Sequence, residues 1–341
     1  MPRQSAFLAL QLFLAAALSL AIAYALGLGN PFWAAMPVWV VHQSYREDLL
    51  LRASLRLAGT VAGAALALAL LWVGAPPAVL AGCLILGVAL ATAGAYWIGT
   101  VMSYGAFMLG VTLLVVLLPD LAGLSGLIAG HAGGGGLALA LGRVACTLIG
   151  VVLVTAITFP FTPRRSAPPP PRPSQGLCRA TLRRGVFCLA VTSGAVAGAM
   201  ALPRFDVMSG AMTLVIYAMI LSAAPDPRPI LRGLAPGVAI GATAALAFLA
   251  LTLPMRAHGE VLVPALIACG FLAAGALLRA HPRTHYLGLD SNMCFLLAAE
   301  VGTWRHGLAD AGAAGLGVVL AAILASGLGR LVLVPAPRLV A

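Results

Sequence analysis

Lysine is absent from this 341-residue chain, and charge of either sign is scarce. Charged side chains make up 9% of it, where a soluble domain carries about a quarter. A water-facing surface of ordinary polarity is therefore excluded. No Gly-rich loop ending in Gly-Lys-Ser or Gly-Lys-Thr occurs, which excludes nucleotide-driven pumping by this chain alone. The six cysteines (83, 146, 178, 188, 269 and 294) show no Cys-x-x-Cys or Cys/His spacing, so they read as small packing residues. No metal and no cofactor is expected.

What fills the chain is apolar. Hydrophobic residues account for 62% of it, and mean hydropathy is +1.04. A helix needs about 20 apolar residues to cross a bilayer, so the length holds roughly 10–12 crossings and no soluble catalytic domain. The expected class is an all-α polytopic membrane protein with about 12 transmembrane helices. The spans are predicted near 7–28, 31–45, 57–73, 78–96, 101–118 and 137–160, then 184–202, 207–224, 234–253, 261–278, 286–303 and 311–334. The first reads as an uncleaved helix, since its apolar run is long for a signal peptide.

The two halves echo each other. Ala35-Met36, an apolar run, then Arg52 and Arg56 is followed 176 residues later by Ala211-Met212, an apolar run, then Arg228 and Arg232. Gly150-Val-Val-Leu likewise resembles Gly317-Val-Val-Leu. The expectation is two parallel six-helix repeats, residues 1–161 and 183–341, joined by a Pro-rich cytoplasmic linker at 162–182. The run Pro168–Pro171 makes that linker semi-rigid. The segment 119–136 reads as an external connection or as a partly inserted piece too short to span.

All of the positive charge is arginine. With the N-terminus in the cytoplasm, sixteen arginines fall on that side, three outside (204, 256 and 305), and Arg143 near the outer end of the sixth span. Positive residues concentrate on the cytoplasmic side of membrane proteins, so both termini are expected there. The basic balance is thus an orientation signal, and nucleic acid is not an expected partner.

Three patterns carry a family resemblance. They are Asn30-Pro31-Phe32-Trp33-Ala34-Ala35-Met36-Pro37-Val38, Arg52-x-x-x-Arg56-x-x-Gly59-Thr60-x-x-Gly63, and Gly142-Arg143 with Gly150 and Phe159-Pro160. Their order and spacing resemble the fusaric acid resistance and aromatic acid exporter family of bacterial inner-membrane efflux proteins. The resemblance implies export of aromatic carboxylic acids or related weak-acid toxic compounds. It also implies a periplasmic adaptor and an outer-membrane channel as partners beside the organic-acid substrate and the bilayer. Larger members carry a sizeable cytoplasmic domain, which has no counterpart between these halves, so a compact branch is implied. A homo-oligomer stays open.

Arg143 is the candidate for gripping a carboxylate, because a guanidinium offers two parallel hydrogen bonds; snorkelling to the interface is the plainer account. Thr147 shares its face. Trp33, Phe32 and Trp39 offer rings for an aromatic substrate or form an aromatic belt. Pro31 and Pro37 interrupt the short second span, the pattern that points to transporter sites, and Met208–Met212 is its partner. Asp290, Asn292 and Glu300 interrupt the eleventh span. A carboxylate in an apolar span is costly when ionised, which suits proton coupling; Asp290 as an interfacial cap and Glu300 paired with Arg305 are the structural alternatives. Arg52, Arg56, Arg228 and Arg232 are read at the starts of their helices, as a cytoplasmic entrance for anions or as anchors, with Glu47 and Asp48 as partners. Proton coupling is the expected energy source. A membrane-embedded transferase, resting on His281-Pro282-Arg283-Thr284-His285, and a non-transporting scaffold subunit are the competing classes.

Overall fold

The computed structural model describes residues 3–129, 135–166, 178–303 and 305–334. The proline run at 168–171 lies outside the described residues. Among the described residues the fold is entirely helical. The helices are α1 (Arg3–Ala25), α2 (Phe32–Val41), α3 (Arg46–Trp72), α4 (Pro77–Ile98), α5 (Ser103–Leu121), α6 (Ser125–Ala129) and α7 (Gly135–Thr158). They continue as α8 (Arg179–Ala201), α9 (Phe205–Ala223), α10 (Arg228–Ala257), α11 (Leu262–Ala280), α12 (His285–Ala299) and α13 (Leu308–Leu333).

Ten of these helices are long and apolar enough to cross a membrane. Two of the twelve expected spans fall short. At 1.5 Å per residue, α2 rises only about 15 Å and α12 about 22 Å, against about 30 Å of hydrocarbon. Pro37 sits inside α2, and its carboxyl end gives way to the polar His42-Gln43-Ser44. The last turn of α12 stops at Glu300, whose φ of 44° is left-handed and cannot continue a helix. Leu10, Leu14 and Leu18 on α1 and Leu316, Leu320 and Leu324 on α13 are exposed, an apolar rind suited to lipid.

The third helix starts eleven residues before its predicted span, at Arg46. Glu47 and Asp48 occupy its first turn, where carboxylates oppose the positive end of the helix dipole. Both bind Arg165 rather than Arg52 and Arg56: Asp48 forms an ion pair with its guanidinium, and Glu47 accepts its backbone N–H at 3.1 Å. Arg46 adds bonds to the carbonyls of Thr162 at 2.6 Å and Pro160 at 2.9 Å. This clamp fastens the start of α3 to the end of α7. Arg52 and Arg56 consequently lie two and three turns inside the helix, not at its mouth.

α5 is buried almost without interruption from Gly110 to Pro119, which is why its sequence is apolar all round. It packs against α3 and α4, while α12 packs against α10 and α11. α7 lies on α2 and α3, and α13 on α9 and α10. α1 lies against α11, and α4 against α8, so the two halves interlock. Two matching close seams need glycine. A Cβ at Gly63 would stand 2.6 Å from the Leu109 carbonyl oxygen of α5, and one at Gly237 2.9 Å from that of Leu287 in α12. Such contacts let backbones pack where lipid supplies no hydrophobic drive.

Candidate functional site

A cavity opens where the first turns of α2, α9 and α13 meet the last turn of α12 and the middle of α7. It encloses about 1060 Å3 of empty space, counting its mouth. The wall is largely apolar (Met36, Met208, Met212, Ile216, Leu297, Val318), with polar groups at a few positions. Concave apolar surface with sparse, placed polar groups is the usual form of a small-molecule site.

Arg143 enters this cavity from two turns inside α7. Its residue is 4% exposed, and its Nε has no hydrogen-bond partner among the described residues. The guanidinium lies over the Trp33 ring, 5.4 Å from the centroid, and Phe32 packs edge-on to Trp33 at 6.1 Å. Pro31 starts α2 so that both rings fall in its first turn, facing α7. The result is a fixed cation resting on an aromatic face, with an unpartnered Nε, in a largely apolar wall. It is suited chemically to an anion that carries a flat apolar body.

The opposite wall holds a second polar set. His306 Nδ1 lies 2.7 Å from Glu300 Oε2, and the imidazole stacks on Phe205 with centroids 3.8 Å apart. Glu300 thus pairs with His306 instead of Arg305. Arg305 is turned away, donating to the Asn30 side-chain oxygen at 3.1 Å and to the carbonyls of Gly29 and Ile128. Asn30 Nδ2 also donates to the Ile128 carbonyl at 3.1 Å. The short apolar segment at 121–129 is therefore partly the helix α6, docked as one edge of the cavity.

The predicted residues divide. Arg143, Trp33, Phe32 and Glu300 converge on the cavity, and Ser209 and Met212 join them from the predicted partner span. Thr147 is buried one turn along from Arg143 but lies outside the cavity wall. Trp39 is fully buried below it, and its carbonyl accepts from Arg279 Nε at 3.0 Å. Asp290 sits inside α12, 8% exposed, so it is not a cap; the N-cap is Thr284. Asn292 spends its amide on the carbonyls of Gly275 at 2.9 Å and Gly288 at 2.6 Å, a packing role between α11 and α12.

The four arginines read as one entrance separate most clearly. Arg56 is 3% exposed and Arg52 is half-buried, whereas Arg228 and Arg232 are exposed. The glycine seams explain it. Gly59 faces Gly105 and Gly63 faces Leu109, as Gly237 faces Leu287 and Gly241 faces Ser291, which aligns α3 with α10 at an offset of 178. The arginines echo at 176. Two residues turn a helix by roughly 200°, which puts Arg228 and Arg232 on the opposite face.

Sequence reading missed His306, Phe205 and the Arg305 tie. Their signal was a Glu, an Arg and a His within seven residues of a short loop, which has no meaning until the loop is folded onto Asn30.

Residues 6–204 match the family model described as the fusaric acid resistance protein family. No curated protein and no solved structure matches the chain.

Proposed function

The chain belongs to the fusaric acid resistance protein family, and from that premise we propose that it exports aromatic carboxylic acids or related weak-acid toxic compounds across the bacterial inner membrane. Its many apolar helices and its family point to a multi-pass membrane transporter. The observation that supports the substrate class is the Arg143 guanidinium, buried over Trp33 with an unpartnered Nε, in the wall of a cavity between the halves. A carboxylate supplies the missing charge and acceptors, while Phe32, Trp33 and Phe205 supply faces for a ring.

Two six-helix units, 1–161 and 183–341, suit this site. The matching packing partners in each half and the glycine seams at one offset support that reading. The cavity then lies at their junction, where transporter sites built from repeats belong. The arginine bias supports cytoplasmic termini, which puts the cavity toward the outer side. Proton coupling is assigned to Asp290, a carboxylate buried in α12 with no hydrogen bond among the described residues, with Glu300 as a second ionisable group in the cavity wall. A periplasmic adaptor and an outer-membrane channel complete the proposed route.

The test is efflux of radiolabelled aromatic acids, benzoate first, from cells expressing the chain, with and without an uncoupler. Arg143→Ala and Asp290→Asn are compared at matched membrane abundance. Uncoupler-sensitive efflux that is lost in both variants supports the proposal. Efflux indifferent to both removes the assigned residues. A correctly inserted protein that exports no acid on the panel favours the scaffold reading instead.

A further inference from the structure

The interior between α3, α5 and α7 gathers six of the buried polar atoms that lack a hydrogen-bond partner among the described residues. Arg52 Nε, Arg56 Nε and Thr60 Oγ1 on α3, Thr112 Oγ1 on α5, and Arg143 Nε and Thr147 Oγ1 on α7 are all buried without a hydrogen-bond partner among the described residues. Native interiors leave only a few such groups, and each calls for a cause. On α3 the three residues stand four apart, one above another along a face, covering about 12 Å of helix axis. On α7, Arg143 and Thr147 repeat the pattern.

Two of these residues are cations in deep burial. Arg56 is 3% exposed and Arg143 4%, and neither forms an ion pair among the described residues. Among the described residues Arg56 has neutral partners alone: the Tyr104 hydroxyl, which accepts from Nη1, and the Met108 sulfur at 3.6 Å. Tyr104 stands between the two α3 arginines, with the Arg52 guanidinium 4.2 Å and the Arg56 guanidinium 6.0 Å from its ring centroid. Arg279 lies within electrostatic reach of Arg52, and Arg56 within reach of Arg143. Arg279 also has the Asp290 carboxylate within reach, but Arg52, Arg56 and Arg143 form a row of cations with no ion-pair partner among the described residues. A buried, unpaired charge is strongly unfavourable, and a carboxylate would supply both the charge and the acceptors.

We propose that Arg56, with Arg52 and Tyr104, forms a second binding site for an organic carboxylate, distinct from the Arg143 cavity and feeding it. The inference rests on the reading of Arg143 as the first site. Tyr104 holds Arg56 when the site is empty, and the arriving carboxylate displaces that hydroxyl. Passage is an exchange of one anion between neighbouring guanidinium groups, each holding it firmly enough to admit it and weakly enough to release it. The hydroxyls of Thr60, Thr112 and Thr147 supply neutral donors along the same seam.

The experiment is equilibrium binding of radiolabelled benzoate to the purified full chain in lipid nanodiscs. It is run on the wild type, Arg143→Gln, Arg56→Gln, Arg56→Lys and Tyr104→Phe, each checked for monodispersity and melting. The wild type is expected to bind two equivalents per chain, and each Gln variant one. Arg56→Lys should keep two, with the second several-fold weaker, because a point charge replaces the fork. Tyr104→Phe, which keeps the ring but frees Arg56, should tighten the second site several-fold. These last two variants carry the test if Arg56→Gln does not fold.

One equivalent in the wild type, kept in Arg56→Gln and lost in Arg143→Gln, overturns the second site and leaves the proposed function standing. One equivalent that survives Arg143→Gln and disappears in Arg56→Gln overturns the assignment of the cavity and the exchange with it. No binding by the wild type overturns both readings.

Discussion

Arg305 and Asn30, 275 positions apart in the chain, meet side chain to side chain at 3.1 Å. The same guanidinium also reaches the carbonyls of Gly29 and Ile128, so one residue pins the α12–α13 loop to the α1–α2 turn and to α6. These three pieces form the edge of the cavity beside Trp33.

Removing that tie should loosen the edge without unfolding the bundle. Hydrogen bonds to a charged donor contribute about 1.5–3 kcal/mol each, so Arg305→Ala should speed amide exchange across residues 26–31 and 125–129 by roughly tenfold or more. Hydrogen–deuterium exchange read by mass spectrometry checks this. Unchanged exchange in both segments would show that the tie carries no stability.

Arg184 is a different kind of arginine. It is buried in α8, lies 3.9 Å over the Tyr96 ring, and donates to the carbonyls of Ser222 and Ala224 at 2.6 Å and of Leu221 and Pro225 at longer range. These are the orphan acceptors at the end of α9. Arg184→Ala leaves the buried ones, at Leu221 and Ser222, without this donor, and a loss of about 1–3 kcal/mol is expected. Thermal melting in detergent, followed by circular dichroism, should show a clear drop. An unaltered midpoint would contradict the capping role.

The glycine seams predict a contrast between two alanine substitutions. At Gly63 the added Cβ meets the Leu109 carbonyl oxygen at 2.6 Å, so Gly63→Ala should cost about 1–3 kcal/mol through overpacking. At Gly82, in α4, nothing lies within 4 Å of the added Cβ. Gly82→Ala should stabilise by about 0.4–1 kcal/mol, since alanine restricts the unfolded chain and suits a helix. Equal melting shifts for the two variants would refute the close α3–α5 approach.

His42, in the link between α2 and α3, gives a pH prediction. Burial, and then the positive charge of Arg279, push its pKa down from 6.5 to about 4. The folded state therefore favours neutral imidazole. Its contribution is complete above pH 6.5 and is lost as pH falls from 6.5 toward 4, because the unfolded chain takes up the proton first. His42→Gln should flatten that part of the stability-versus-pH curve. A curve that keeps its full slope in the variant would assign the acid sensitivity elsewhere.

The sequence by itself determined the class of molecule. Apolar runs of helix length, few charges and no lysine leave no other solvent than lipid for most of the surface, and those properties are local. Pro31, Pro37 and the position of Arg143 were equally legible, because a break in a span or a cation within one is visible residue by residue. What the tertiary structure decided was pairing. Asp48 and Glu47 chose Arg165 because the end of α7 folds back beside the start of α3. Glu300 chose His306 because Arg305 is held by Asn30. Arg56 and Arg232 look equivalent as letters, but a shift of two positions on a helix places one in the core and the other on the surface. Composition and periodicity fix which residues seek lipid; which buried polar group faces which is set by distances between helices that no local pattern records.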